Sequence, residues 1–470
     1  MRPDRPRLLL FSYHFPPSSA TGALRWEMLS RLASERGLDC DVLTLHPDEL
    51  REPDLRRLDG LPPGIRVFGV RPAQLLAQRV EAVAWELYRR LRPRRPLPHG
   101  SGVRATEALP ESAPEPGSFA RAEVRFAALE FRSWTRAYHA WLEAHRDLAW
   151  GHAAGKVARA LAGPGTHAAV VSCGPPHMPH AAAAECALAL RLPYVMDMRD
   201  PWRLQQRLIA GVASPVWYRL AVAWEERCVR AARLVVTNTD PFREQMQALY
   251  PSKRDRVITV MNGFDEDPVP SVPRDPRFLI AYAGSIYLDR DPRPLLRAGA
   301  RLIAAERLMP QQIGFAFIGN TESYGGIPVR QIAAEEGISD YVSTGPARPR
   351  AEAHAFMASA TLLVSLPQDS DLAIPSKIFE YLNFEAWVLA LARQDSATGR
   401  AVAGTSIDLA DPDDVGGIYA VIARRWREFN SGQRPSRRQG VAHLSRRHQA
   451  KQLFDRLLAD LATGRQSARA

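Results

Sequence analysis

Ser365–Leu391 reads SLPQDSDLAIPSKIFEYLNFEAWVLAL. The apolar run Leu362–Ser365 that leads into it has the length and composition of a buried strand. A polar loop follows, and Ile374-Pro375-Ser376-Lys377 opens a helix over Ser376–Phe384 with Ser376 as its N-cap. Val388–Leu391 is a second buried strand. Strand, helix and strand in this order predict a parallel sheet with crossover helices. The helix start, with its unpaired N–H groups and Lys377, suits a phosphate. Glu380, one turn in, could accept from two vicinal hydroxyls of a ribose; solvent exposure or compensation of the helix dipole is the alternative.

The same plan extends in both directions. Phe278–Ala283 and Phe315–Ile318 read as strands, and Asp291–Ala304 and Pro328–Glu336 as helices. Helices about Asp413–Phe429 and Val441–Leu461 follow, separated by SGQRPSRRQG. In YAGSIYLDRDPRPLL, Gly284 and Ser285 can offer backbone N–H groups, and Arg290 either clamps a diphosphate or pairs with Asp289 or Asp291. Gly319 ends a strand where the chain must turn. Upstream, Leu8–Ser12, Cys40–Leu45, Ala168–Ser172, Tyr194–Asp197, Leu234–Thr237 and Val257–Met261 read as strands, and Ala23–Glu35 as a helix. The Pro- and Asp-rich stretch 263–276 is the candidate linker. The predicted organisation is an α/β chain of two Rossmann-like, doubly wound domains, residues 1–265 and 270–440, followed by a terminal helix in 441–470 that crosses back. Ligands of such sheets bind where strand C-termini meet loops and helix starts.

One stretch breaks the alternation. Residues 71–95 are basic, with Leu76, Val80, Val83 and Leu87 at helical spacing beside Trp85 and Tyr88. Residues 93–119 are rich in Pro, Ser and Gly, and 122–145 form a second aromatic helix. Residues 71–150 are therefore read as a helical insertion in the first domain. It is either an amphipathic element at an anionic membrane interface or an internal hairpin capping the domain.

Three loops of the first half carry candidate chemistry. Gly22 lets a backbone approach a phosphate, with Arg25 in the first helical turn. SCGPPHMPH places His177 and His180 at a helix start, where they either bind a substrate oxygen or serve as capping or surface groups. YVMDMRDPW gathers Asp197, Arg199 and Asp200 at a strand mouth, as a site or as an internal ion pair anchoring the loop.

Composition narrows the classes. The 470-residue chain carries 62 Lys and Arg against 51 Asp and Glu, a net charge of +11, which favours anionic partners. Its four cysteines are scattered with no Cys-x-x-Cys, so neither a disulfide framework nor a zinc signature is present. No nucleic-acid recognition motif accompanies the charge. No leader-like or membrane-spanning run is visible, and the expected location is the cytoplasm, extending to the inner face of the membrane.

Taken together, FPPSSATGALRW, SCGPPHMPH…YVMDMRDPW, VITVMNGFD and IPSKIFEYL resemble retaining GT-B glycosyltransferases of the family-4-like group, in a bacterial subgroup linked to polysaccharide assembly. The resemblance covers nearly the whole chain outside about 71–145. It implies a hexosyltransferase-like enzyme that moves a sugar from a nucleotide-sugar donor to a glycan or lipid-linked acceptor, with no cofactor, no metal and no nucleic acid, and with possible peripheral membrane contact. It implies donor contacts at Gly22, Gly284, Ser285, Gly319, Val342 (the base), Ser376 and Glu380. Catalytic roles fall on Arg290, Lys377, His180 and Asp197, and acceptor positioning on Arg25, Arg199 and Asp200. Two departures stand out: Ser285 occupies the position where the family has an arginine, and Leu372 that of the first glutamate in its paired-glutamate motif. They support a second reading, a catalytically degraded GT-B scaffold. A GT-B epimerase would share the fold but would need carboxylates that the sequence does not identify.

Overall fold

The computed structural model describes residues 5–73, 80, 134–162, 165–205, 213–265, 269–367, 370–435 and 440–467. In chain order the first elements are β1 (Arg7–Ser12), α1 (Ala23–Glu35), β2 (Asp39–Leu45), β3 (Ile65–Val70), α2 (Trp134–Leu161), β4 (His167–Gly174), α3 (Pro179–Leu190), β5 (Tyr194–Met198), α4 (Pro215–Ala231), β6 (Leu234–Thr237), α5 (Asp240–Leu249) and β7 (Val257–Thr259). Then come β8 (Phe278–Ser285), α6 (Arg293–Glu306), β9 (Ile313–Asn320), a β10–β11 hairpin (Ser323–Tyr324 and Ile327–Pro328) and α7 (Val329–Glu335). The rest are β12 (Val342–Gly345), α8 (Arg350–Ser359), β13 (Leu362–Ser365), α9 (Ser376–Tyr381), β14 (Trp387–Leu391), α10 (Ala397–Val402), β15 (Asp408–Ala410), α11 (Val415–Asn430) and α12 (Arg446–Ser467).

Two sheets share one plan. The first runs β3-β2-β1-β4-β5-β6-β7 and the second β12-β9-β8-β13-β14-β15. Strand order therefore reverses beside β1 in one and beside β8 in the other. The chain divides into two compact units, Met1–Val235 and Val236–Ala470.

In the first unit Leu8, Leu9, Leu10 and Phe11 of β1 are all fully buried, as a central parallel strand covered on both faces requires. Strand β3 was not anticipated: IRVFGV interrupts its apolar residues with Arg66 and Gly69, and it lies at the sheet edge, where one side is solvated. Most of the anticipated insertion (74–79 and 81–133) lies outside the described residues. Its last part is corrected: the aromatic helix spans Trp134–Leu161 and belongs to the layer that packs on α3. Ala140, Ala144, Ala154 and Ala158 on α2, and Ala181–Ala184 on α3, are buried. Small side chains there let the two helix backbones approach closely.

In the second unit the period of two along β8 sorts side chains to two cores. Phe278, Ile280 and Tyr282 join one cluster, and Leu279, Ala281 and Ala283 the other. Helix α12 is tied down by Arg446, which bonds Asp265 at 2.9 Å and the Gly263 carbonyl at 3.0 Å. Gln449 accepts from the Met261 N–H at 2.7 Å. Two expectations are corrected here. Ser376 is the first helical residue rather than the cap, which is Pro375, with no side-chain cap bond. Val342 opens β12, is 6 % exposed and sits in the core, so its side chain has no surface to offer a base.

Gly319 faces Gly284 across the β8–β9 ladder. Its φ is +115°, and a Cβ there would overlap the Gly284 carbonyl oxygen. Gly319→Ala is expected to lose more than about 2 kcal/mol in urea unfolding, since backbone strain and overlap add. A loss under 0.5 kcal/mol would mean the strand ends relax freely.

Candidate functional site

In the second unit, polar groups gather at the C-terminal end of β8. The Tyr282 hydroxyl donates to the Ser285 carbonyl at 2.8 Å, and Arg290 Nη1 donates to the same oxygen at 3.2 Å. The Arg290 guanidinium lies 4.4 Å from the Tyr287 ring centre, a cation–π contact. Asp291 pairs with Arg293 at 2.9 Å. The Ile286 N–H bonds the Asn320 carbonyl at 2.9 Å, which closes the loop onto the end of β9. Arg290 is thus held on a fixed loop beside Gly284 and Ser285.

Helix α9 reaches the same strand end. Its Tyr381 is fully buried, and the hydroxyl accepts from the Ala283 N–H at 3.2 Å. One residue earlier, Glu380 receives a bond from Lys377 Nζ at 2.6 Å and lies 3.4 Å from His354 Nε2 on α8. Partial burial works to raise the Glu380 carboxyl, but the bond from His354 and the charge of Lys377 outweigh it and bring it down to about 2. The site therefore holds a fixed carboxylate within reach of two nitrogen donors. His354 was missed from sequence. It lies 26 residues before Glu380, and no local spacing links the two. Its ring meets Phe384 edge-on at 5.5 Å, which orients it. Leu372, where the resemblance leaves a glutamate missing, is 2 % exposed, and its carbonyl accepts from Thr239 Oγ1 at 2.6 Å.

In the first unit the structure reassigns several residues. Asp197, at the end of β5, is 1 % exposed and accepts from Arg25 Nε (2.8 Å), Arg25 Nη2 (2.7 Å) and Trp26 Nε1 (2.6 Å). Arg25 is 3 % exposed. This is a bidentate internal pair that fastens α1 to β5, so a catalytic Asp197 and an acceptor-positioning Arg25 are both corrected. His180 is corrected too. It is fully buried, with Nδ1 2.6 Å from Ser172 Oγ, which in turn lies 2.7 Å from the Tyr194 hydroxyl. Burial pushes its imidazole down to about 3, so it is neutral.

The group nearer the surface is His177. Its Nδ1 is 3.5 Å from His180 Nε2, and its ring stacks on Trp202 at 5.1 Å. Arg199 donates to the Pro175 carbonyl at 3.3 Å and lies 3.6 Å from half-exposed Asp200. The Arg199 guanidinium occupies the space that a Cβ on Gly22 would need, so glycine at 22 is what admits it. Gly22, His177, Arg199 and Asp200 therefore collect at the ends of β4 and β5, above the buried Arg25–Asp197 pair.

Known proteins share this architecture. No family model matches the chain. The D-inositol 3-phosphate glycosyltransferase of Thermobifida fusca is 25 % identical over 253 residues, covering 50 % of this chain and 58 % of that protein. That of Thermomonospora curvata is 24 % identical over 277 residues, 55 % of this chain and 62 % of the relative. The chain thus spans less than two thirds of the length of these relatives. Among solved structures, Anabaena HepE in complex with UDP and glucose superposes with a TM-score of 0.53 at 13 % identity, over 96 % of this chain and 99 % of the other. The α,α-trehalose 6-phosphate synthase of Burkholderia multivorans gives 0.57 at 12 % identity, over 99 % of both. Sucrose-phosphate synthase of Thermosynechococcus elongatus gives 0.55 at 13 %, again over 99 % of both. The fold is the GT-B fold of glycosyltransferases.

The buried neutral His180 has a sign to test. Its imidazole is depressed in the folded chain relative to the usual 6.5, so the unfolded chain binds more protons between about pH 3 and 6.5. Its contribution is complete above pH 6.5 and is lost as pH falls, by up to about 1.4 kcal/mol per pH unit for one proton. His180→Asn keeps a hydrogen-bonding partner for Ser172 without titrating. The stability of the wild type relative to this variant should fall between pH 7 and pH 5 in urea titrations. A difference independent of pH would show that His180 is not held neutral.

Proposed function

We propose that the chain is a nucleotide-sugar-dependent glycosyltransferase whose donor is held by the second unit. The carrying observation is the meeting of two elements at one strand end: the Ser285–Arg290 loop, and α9 with Lys377 and Glu380 pinned through Tyr381 to Ala283. The GT-B likeness, a solved relative bound to UDP and glucose, and relatives named as glycosyltransferases support the reading.

Breaking the bond between the anomeric carbon and phosphate builds negative charge on the leaving diphosphate. Arg290 and Lys377 are the cations assigned to it, and fixed cations stabilise that charge more in the transition state than in the ground state. Glu380 takes the ribose hydroxyls, its carboxylate held ionised by His354 and Lys377. Lys377 thus serves both groups, which couples ribose binding to charge stabilisation. In this reading the sugar is transferred with retention, the leaving phosphate takes the acceptor's proton, and no metal or cofactor enters. A glycan or lipid-linked acceptor belongs to the reading, with Arg199 and Asp200 as its positioning groups and His177 taking the place first given to His180. Contact with a membrane surface would fall to the anticipated insertion, residues 71–150, most of which lies outside the described residues. No helix among the described residues is long and apolar enough to cross a membrane.

The scaffold alternative rests on Ser285 and Leu372, and one assay separates the two. Purified chain is incubated with radiolabelled UDP-, GDP- and ADP-hexoses, and transfer and hydrolysis are both counted. Turnover by the wild type is expected, with kcat about 10²–10³-fold lower in Arg290→Ala and Lys377→Ala. Glu380→Gln is expected to raise donor KM about tenfold through a lost charge-assisted bond. Donor binding without transfer or hydrolysis by the wild type would favour the scaffold.

A further inference from the structure

The loop that carries Arg290 is bent in a way its sequence does not favour. Among the described residues, three that are not glycine have positive φ: Arg191, Leu288 and Arg307. Arg191 and Arg307 close α3 and α6, where a left-handed residue is a common way to end a helix. Leu288, at φ +50°, closes no helix. It is the second residue of a turn in which the Arg290 N–H bonds the Tyr287 carbonyl at 3.1 Å. Glycine, asparagine and aspartate are the usual occupants of such a position. The Leu288 side chain is 48 % exposed, so packing around it does not hold the bend. The turn is clamped at both ends instead. Ile286 is buried and bonded to the Asn320 carbonyl, and the Asp291 N–H bonds the Asp289 carbonyl at 2.8 Å. Backbone strain kept in this way directs attention to what the bend brings together.

The first and last residues of a tight turn are close neighbours, and here they are Tyr287 and Arg290. The Arg290 guanidinium lies 4.4 Å from the Tyr287 ring centre, while its Nη1 donates to the Ser285 carbonyl at 3.2 Å. The Tyr287 ring is 47 % exposed and is no part of the core. An aromatic face holds a cation through its quadrupole, adds no counter-charge and takes up no N–H. A carboxylate in that place would fix the arginine and cancel its charge. Asp291, the acid that follows Arg290, is directed elsewhere. It pairs with Arg293 Nε at 2.9 Å, and the Arg293 guanidinium lies 5.1 Å from the Tyr324 ring centre on the β10–β11 hairpin. Arg290 is the one cation in the sequence Ser285–Arg290, so its orientation decides what charge the loop offers an anion.

We propose that Tyr287 is a positioning residue for Arg290, its ring holding the guanidinium beside Ser285 so that the uncancelled charge faces the donor's diphosphate. A long arginine side chain loses rotamer freedom when it grips a ligand, and a ring that fixes it beforehand lowers that cost. The same holding serves the transition state, because a cation already in place needs no reorganisation as charge develops. Tyr287 has this role only if the second unit holds a nucleotide-sugar donor, the reading given above, and it acts through Arg290 alone.

Isothermal titration of the full chain with UDP and UMP, GDP and GMP, and ADP and AMP tests it. For the pair that binds, the preference for diphosphate over monophosphate reads the contact with the second phosphate. The wild type is expected to prefer the diphosphate at least tenfold. Tyr287→Ala should lower that preference at least threefold, and Tyr287→Phe, which keeps the ring, should stay within twofold of the wild type. Arg290→Ala should lower it at least as far as Tyr287→Ala, and the double variant no further than Arg290→Ala, since the two residues act as one unit. Monophosphate affinity within twofold of the wild type shows that the variants fold. A wild-type preference in Tyr287→Ala, an equal loss in Tyr287→Phe, or a further loss in the double variant would overturn the positioning role and leave the donor reading standing. If the wild type binds none of the diphosphates, or none better than its monophosphate, the donor reading fails and this role with it.

Discussion

The hydrogen bond from the Ala283 N–H to the Tyr381 hydroxyl holds the second unit's site together. Strand β13 pairs with β8 only at Ile280 and Ala281. Beyond that point the strands part, and the buried Ala283 N–H needs a partner from elsewhere. Tyr381 supplies it from α9, and burial raises its phenol so that the group stays neutral. The Ser285–Arg290 loop turns at the same strand end. The bond from Ala283 thus fixes the helix that carries Lys377 and Glu380 beside that loop. Such a place beside the reversal of strand order is where open α/β sheets bind ligands.

The first unit uses similar charges differently. Arg25 and Asp197 are both nearly inaccessible and consume each other. Their pairing carries a desolvation cost that only good geometry offsets, and the bidentate contact plus the Trp26 N–H supplies that geometry. The gain is a rigid junction between α1 and β5, on which Gly22 and Arg199 sit. The chain of Tyr194, Ser172 and His180 beneath His177 has the same character. His180 Nδ1 lies 2.6 Å from Ser172 Oγ and its Nε2 3.5 Å from His177 Nδ1, so the buried ring is fixed between the two. Buried groups here orient the partly exposed ones.

Much of this was legible in the sequence because parallel strands are continuous apolar runs. Leu234–Thr237 and Leu362–Ser365 were read to the residue, and most other boundaries fell within two or three. Edge strand β3 was not, since its mixed pattern lacks that signal. The positions of Gly22, Gly284, Gly319, Arg290, Lys377 and Glu380 at strand ends and helix starts followed from motif order. What could not be read was direction. Motif order put Asp197 and Arg199 together at a strand mouth, but only packing shows that Arg25 takes Asp197. Likewise nothing local marks His180 as buried below His177, Val342 as core, or His354 as the partner of Glu380. Those assignments depend on contacts between residues far apart in sequence.

A crystal structure of the wild-type chain grown with UDP tests the central claim most directly. The account predicts density for the diphosphate against the Gly284–Arg290 loop and Lys377, with both ribose hydroxyls on Glu380 and His354 still in contact with that carboxylate. Nucleotide bound elsewhere, or a ribose that leaves Glu380 untouched, would contradict it.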